Sequence, residues 1–223
     1  GVLRIIEQIM NEVSISVKEK KKIIEGIIES GVKKIQLTSF VSPKHIPQMQ
    51  DAEEIAKYFL NKYPELEFSA LVPNYRGVKR AYEMGLRNIA YVISVSEGHN
   101  KANVNRSVDE SFVELEKILA DFPDINITLD AATTFGCPFD GEVSYEKVDK
   151  YVKRAYDLGI RTINLCDTIG ISNPKQIDEL LTLLLEKYKD IEFQVHIHDT
   201  RNMGMLNSYT AIKKGIKHVQ ASL

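Results

Sequence analysis

Asp157-Leu158-Gly159-Ile160-Arg161-Thr162-Ile163-Asn164-Leu165-Cys166-Asp167-Thr168-Ile169-Gly170 holds one full turn of this chain's plan. Its first three residues end a helical stretch with a glycine, the residue that most easily takes the left-handed conformation closing a helix. Residues 162–165 are mostly apolar and partly β-branched, as expected of a buried strand. Polar residues and a second glycine follow. The same phrase ends three other helical stretches, at Glu29-Ser30-Gly31, Glu83-Met84-Gly85 and Lys213-Lys214-Gly215, each leading within a few residues into a β-rich run.

Working outward, such runs occur at 2–6, 34–38, 68–72, 89–93, 125–129, 162–165, 193–197 and 218–222. Ser16 can cap a helix carrying Ile23, Ile24, Ile27 and Ile28. Ser107 precedes Phe112, Leu115 and Leu119, and Ser144 precedes Val148, Val152 and Tyr156. Eight strands alternating with seven helices predict an α/β fold, the TIM (β/α)8 barrel, with no eighth helix in the chain. An open doubly wound sheet is the competing architecture. No Gly-x-Gly-x-x-Gly follows the first run, and even repeats suit closure better. Residues 1–223 are read as a single (β/α)8 barrel catalytic domain.

Composition sets the outer limits. The 223 residues are 43% hydrophobic and 27% charged, with 29 basic and 31 acidic side chains. A net charge of −2 and a pI near 6.3 argue against a nucleic-acid partner. No apolar run approaches the roughly 20 residues that span a bilayer, and no signal peptide is evident. Two cysteines, Cys137 and Cys166, make no disulfide framework, so a cytoplasmic location is expected. The lysine clusters Lys18-Glu19-Lys20-Lys21-Lys22 and Lys213-Lys214 read as solvated helix faces.

Barrel chemistry gathers at the carboxyl ends of the strands, and these ends are polar. His196-Ile197-His198 is the sharpest signal: residues i and i+2 on a strand share a face, so both imidazoles can meet as half of a divalent-metal site. Oxygen ligands must come from elsewhere, and backbone-bonded histidines are the plain alternative. Asp167 ends an apolar strand and is read as catalytic; a helix cap is the alternative, but Ser172 or Asn173 is better placed for it. Asp199 could orient an imidazole or bond to backbone. His99 lies in a long polar loop, 94–105, where a surface role and a substrate contact are equally open; His45 and His218 read as structural or solvent-facing. Cys137 reads as small and packed, and alternation turns Cys166 toward the helices.

The strand-end phrases together resemble the 3-hydroxy-3-methylglutaryl-CoA lyases of the DRE-TIM metallolyase superfamily. The matching stretches are Thr38 to Lys44 with Pro47-Gln48-Met49, Ser96 to Asn105 with Ser107 and Glu110-Ser111, Phe135 to Pro138, Asp167 to Gly170, and His196 to Thr200 with Asn207. The resemblance implies a carbon–carbon lyase that cleaves an acyl-CoA to acetyl-CoA and acetoacetate. It makes His196 and His198 ligands of Mg²⁺ or Mn²⁺, and Asp167 a catalytic residue in proton transfer. It also implies Ser39, Gln36 and Asn103 as substrate-binding residues, Gln36 standing where the family has a glutamate; a homodimer is compatible with it. The family's Arg-Asp-Gly triplet after the first strand and its glycine-rich loop with a catalytic cysteine have no counterpart here. The expectation is that the polypeptide carries active-site loops and a C-terminal segment besides these residues. Other acyl-CoA condensing synthases or aldolases of the superfamily, and a non-catalytic barrel, are the competing readings.

Overall fold

The computed structural model describes residues 15–42, 44 and 46–221, which fall into two compact units. One comprises the described residues up to 91 together with 118–126, the other 92–117 and 127–221. The predicted strand at 2–6 and His45 lie outside the described residues.

The first unit contains α1 (Val17–Glu29), β1 (Lys34–Ser39), a 3-10 turn (Pro47–Met49), α2 (Ala52–Lys62), β2 (Glu67–Val72), α3 (Tyr75–Glu83) and the first part of β3 (Asn88–Ser94). These strands pair in parallel. Ser16 caps α1 in a reciprocal box with Glu19, as its spacing predicts. The lysine cluster on this helix departs from expectation, because Lys20 is 3% exposed. Lys20, Ile24 and Ile27 fall at i, i+4 and i+7, so the lysine lies on the buried stripe. Its ammonium is neutralised by both Asp51 oxygens at 2.9 Å and by the Gln48 carbonyl. Apolar periodicity alone does not reveal a cation that brings its counter-ion from another element.

The second unit holds the end of β3, α4 (Glu97–Val104), most of α5 (Val108–Asp121), β4 (Asn126–Ala132), α6 (Tyr145–Asp157), β5 (Thr162–Asp167), α7 (Pro174–Lys187), β6 (Glu192–Ile197), α8 (Gly204–Lys213) and β7 (His218–Gln220). Strands β4 to β7 pair in parallel, the Val95 amide past the end of β3 donates to the Ala132 carbonyl at 2.9 Å, and strand order follows chain order. Seven of the eight predicted strands are thus described, in the βα alternation of a (β/α)8 barrel. Ser144 and Asn173 cap α6 and α7.

One predicted loop is a helix. Residues 97–104 form α4, which ends at Asn105 with φ 56°, a left-handed turn that asparagine tolerates. Its inward anchor is polar: buried Asn100 accepts from the Ser94 amide and donates to the Arg106 and Ser107 carbonyls and the Ser111 hydroxyl. With an asparagine where a leucine would ordinarily sit, hydrophobic periodicity is silent here.

The helix-to-strand phrase repeats in three dimensions. In Tyr82–Arg87 and again in Tyr156–Arg161, the glycine takes φ of 94° or 89° and the arginine folds back over the tyrosine ring. Each arginine also donates to the tyrosine carbonyl at 3.0 Å. These two returns from helix to strand are thereby held by local contacts.

Strand-end loops of the second unit interlock at glycines. A Cβ on Gly136 would meet Ile171 Cδ1 at 2.5 Å, and one on Gly170 would meet the Thr200 backbone nitrogen at 2.8 Å. Gly170 also has φ 65°. Gly170→Ala should therefore cost about 1–3 kcal/mol more than Gly159→Ala, where the added methyl meets open space and backbone strain alone remains. Urea denaturation of the two variants checks this; equal losses would refute the interlock.

Candidate active site

The parallel register decides which side chains share a face. Residue pairs Asn164–Gln194, Cys166–His196 and His196–Gln220 lie opposite each other across β5, β6 and β7, and Asp130 lies opposite Asn164 on β4. Asp130, Asn164, Cys166 and His196 therefore occupy one face of the sheet. Cys166 is buried as expected, but it stands on the histidine face and not toward the helices.

His196 is 7% exposed and His198 is half-buried. Their rings meet edge to face with centroids 5.0 Å apart, and the two Nε2 atoms are 3.1 Å from each other. That spacing is close to what two adjacent ligands of one divalent cation require, given bonds of about 2.0–2.1 Å at right angles. The donor set is imidazole nitrogen, a suitable ligand for a transition-metal cation. The pair fits half of a site. Among the described residues no third histidine, cysteine or carboxylate joins them as a metal cluster. Oxygen donors would have to complete the sphere.

Asp167 is fully buried at the end of β5, and the register places it beside Ile197 and not beside a histidine. Its carboxylate accepts from the Ile171 amide at 3.1 Å, from the Ser172 amide at 2.9 Å and from the Ser172 hydroxyl at 2.6 Å. A carboxylate has about four acceptor positions, so three are engaged by its own loop. Asn207 on α8 extends the network, donating to the Ser172 carbonyl at 3.0 Å and its hydroxyl at 2.8 Å. The helix cap is Asn173, leaving Asp167 to hold the loop before it.

The remaining candidates settle variously. Asp199 bonds to backbone, accepting from the Gly204 amide at the start of α8. His99 pairs its Nδ1 with the Ser94 hydroxyl at 2.7 Å, and His218 pairs with exposed Glu192. Cys137 is packed as expected; its sulfur accepts from the Ser96 hydroxyl and the Phe139 and Asp140 amides. Asn103 is exposed on α4, and the asparagine that ties that region together is Asn100. In the first unit, β1 carries an irregularity between Gln36 and Thr38. It pairs Gln36 with Ser69 and Ser39 with Leu71, residues of one face of β2, so an extra residue brings Gln36 and Ser39 to a common face. The buried Ser39 hydroxyl meets no protein partner among the described residues. Sequence reasoning missed Asp130 and Asn164, whose polar atoms lie mid-strand, away from the strand ends where chemistry was sought.

The HMGL-like family matches residues 3–223. This chain belongs to that family. It is 35% identical over 213 residues to the (R)-citramalyl-CoA lyase of Chloroflexus aurantiacus, covering 91% of this chain and 67% of that protein. It is 36% identical over 204 residues to a hydroxymethylglutaryl-CoA lyase of Bacillus subtilis, covering 91% and 68%. Mitochondrial hydroxymethylglutaryl-CoA lyase of Bos taurus is covered over 63% of its length, so the chain spans about two thirds of these relatives. Among solved structures, the B. subtilis HMG-CoA lyase superposes with a TM-score of 0.88 at 34% identity, covering 95% of this chain and 71% of that one. An HMG-CoA lyase from Acinetobacter baumannii, solved with coenzyme A and 3-methylmalate, gives 0.89 at 30% identity over 96% and 70%. The HMGL-like chain is thus a carbon–carbon lyase of barrel fold.

If Asp167 holds its loop as the geometry indicates, Asp167→Asn places an amide donor against the donors of Ser172 and should cost about 2–3 kcal/mol. Ser172→Ala, which leaves the two backbone bonds, should cost about 1 kcal/mol. Chemical denaturation at neutral pH separates the two; a larger loss in Ser172→Ala would refute the ranking.

Proposed function

We propose that this protein is a divalent-metal-dependent lyase cleaving 3-hydroxy-3-methylglutaryl-CoA to acetyl-CoA and acetoacetate by a retro-Claisen reaction. The observation that carries this reading is the pair of imidazole Nε2 atoms 3.1 Å apart at the end of β6, in a chain of the HMGL-like family. Relatives named as acyl-CoA lyases, and a similar structure solved with coenzyme A, support an acyl-CoA substrate.

His196 and His198 would hold Mg²⁺ or Mn²⁺, which when bound supplies positive charge to the hydroxyl and carbonyl oxygens of the acyl group and stabilises developing oxyanions. The protein's own residues do the rest. A base takes the proton of the tertiary hydroxyl as the carbon–carbon bond breaks; the bonding pair leaves as the enolate of acetyl-CoA, and the hydroxyl carbon becomes the ketone of acetoacetate. Protonation of the enolate carbon completes the balance. Asp167 serves proton transfer in this reading. Three donors orient its carboxylate, and one acceptor position remains. Gln36 and the unpartnered Ser39 hydroxyl, on one face of β1, are polar groups available to the thioester, and Asn103 is the third substrate contact proposed. The (R)-citramalyl-CoA lyase relative favours a second acyl group, citramalyl, for the same chemistry. Two buried free thiols suit a cytoplasmic location.

The full-length protein, assayed for acetoacetate from 3-hydroxy-3-methylglutaryl-CoA and for acetyl-CoA from citramalyl-CoA, should turn over at least one of them with Mg²⁺ or Mn²⁺ and neither after EDTA treatment. His196→Ala should lower turnover on the order of 100-fold or more and weaken Mn²⁺ binding measured by calorimetry. Turnover that survives both EDTA and His196→Ala would sink the metal assignment; no carbon–carbon cleavage of either acyl-CoA would sink the lyase.

A further inference from the structure

Between the end of β1 at Ser39 and the start of α2 at Ala52, the chain turns on short-range bonds. The Ile46 amide donates to the Ser42 carbonyl at 3.0 Å, and the Met49 and Gln50 amides donate to the Ile46 and Pro47 carbonyls at 3.1 Å. Such bonds shape a connection without deciding where it sits. Two longer contacts do that. The Thr38 hydroxyl meets the sulfur of buried Met49 at 3.6 Å, and Lys20 of α1 reaches the 3-10 turn across twenty-eight residues of sequence.

Lys20 is 3% exposed. Its ammonium donates to the Gln48 carbonyl, inside the turn, and to both Asp51 carboxylate oxygens at 2.9 Å. An ammonium has three donors, and three protein acceptors leave none for a ligand. Lys20 therefore holds the protein and does not bind substrate. Asp51 stands at the N-cap of α2, where an aspartate ordinarily accepts from a first-turn amide, yet its side chain makes no capping bond. The carboxylate is diverted from its own helix to the lysine.

Stability explains neither half of this pair. Burying an ammonium forfeits its hydration, and apolar side chains of similar volume often replace a buried ion pair without loss. What apolar contact does not supply is direction: a charge-assisted bond to three acceptors holds the turn at one place. A turn held at Gln48 and Asp51 keeps Met49 against Thr38. Ser39 follows Thr38 directly, and its buried hydroxyl meets no protein partner among the described residues.

We propose that Lys20 is a positioning residue for substrate binding: by fixing the connection that follows β1, it holds the Ser39 hydroxyl where a thioester meets it. This rests on the lyase reading above, which gives Ser39 to the substrate. Lys20 itself touches no reacting atom.

The test uses the full-length protein with Mg²⁺ and whichever of 3-hydroxy-3-methylglutaryl-CoA and citramalyl-CoA the wild type cleaves. Lys20→Met keeps a buried apolar stem and removes the charge. It should raise KM about tenfold while kcat stays within about threefold, the pattern of lost binding and not of lost chemistry. Lys20→Met/Asp51→Leu replaces the whole pair by apolar side chains. It should melt within about 3 °C of the wild type, or above it, and still show the raised KM. A pair that serves stability alone gives the opposite result, with KM returning to the wild-type value as the melting temperature does, and that overturns the proposal. Hydrogen exchange read by mass spectrometry follows the clamp without substrate: residues 46–51 should exchange about tenfold faster in both variants, while α2 stays within about twofold. Equal exchange in a folded variant, or an unchanged KM, overturns the proposal. Should neither variant fold, the wild type decides: slow exchange over 46–51 supports the clamp, and exchange at the rate of a free peptide overturns it. Cleavage of neither thioester by the wild type removes the lyase reading itself, whereas cleavage with an unchanged KM in the variants removes this proposal alone.

Discussion

A buried carboxyl group needs hydrogen-bond donors to replace the water it has lost, and Asp167 finds its donors in the loop that follows it. The Ile171 amide and the amide and hydroxyl of Ser172 close that loop on the strand end. Once closed, the loop fixes its neighbours. The Thr168 hydroxyl accepts from the Thr133 amide at the end of β4, and Ile171 projects to the place where Gly136 has no Cβ. On the other side Gly170 comes against Thr200, and the Asp167 carbonyl accepts from the His198 amide. Three strand-end loops are thereby referred to one carboxylate. At Gly170 this packing has few alternatives, because an added Cβ would meet the Thr200 backbone nitrogen, whereas at Gly136 it would meet the end of the Ile171 side chain.

The two faces of β5 consequently do different things. Asp167 is in register with Ile197 and organises the rim, whereas Asn164 and Cys166 point with His196 to the other face. Two Nε2 atoms 3.1 Å apart can share one proton in a hydrogen bond or face one cation, and they cannot both carry a proton at that distance. The rigidity of the rim is what keeps the two rings together. His198 lies past the end of β6, and its amide is held by the Asp167 carbonyl.

How much of this the sequence carries depends on whether the information is local. The four helix-ending glycines all take positive φ, from 89° to 102°, because a local turn demands it, and the seven described strands begin within a residue of where β-rich runs begin. His196 and His198 were legible for the same reason: two residues apart on a strand is a statement about one face. Three features were not legible. Lys20 is buried by a counter-ion thirty-one residues away, α4 is anchored by an asparagine, and the irregularity in β1 changes which residues share a face without altering composition. Each depends on a partner that the local sequence does not name.

Cys166 shows the limit most clearly, and it changes how the site is understood. Strict alternation counted from Asp167 gives opposite faces to Asp167 and Cys166, which is correct; the error was to assume that the aspartate, being the polar one, shared the histidine face. Polarity is a poor guide to facing at a strand end, because a loop of amides can solvate a carboxylate as well as a binding cleft can. Facing is decided by register, and register puts Cys166 opposite His196. The consequence is chemical. The Asp167 carboxylate at the rim and the histidine face are linked through the backbone of residues 167 and 198 and not by side-chain contact, so changes to the carboxylate should reach the imidazoles through the position of the β6 loop. In that loop the Asp199 carboxylate caps α8 at Gly204, and Asn207 of α8 returns to Ser172. The circuit from Asp167 to Ser172, Asn207, the start of α8, Asp199 and His198 is closed by hydrogen bonds and chain connectivity alone.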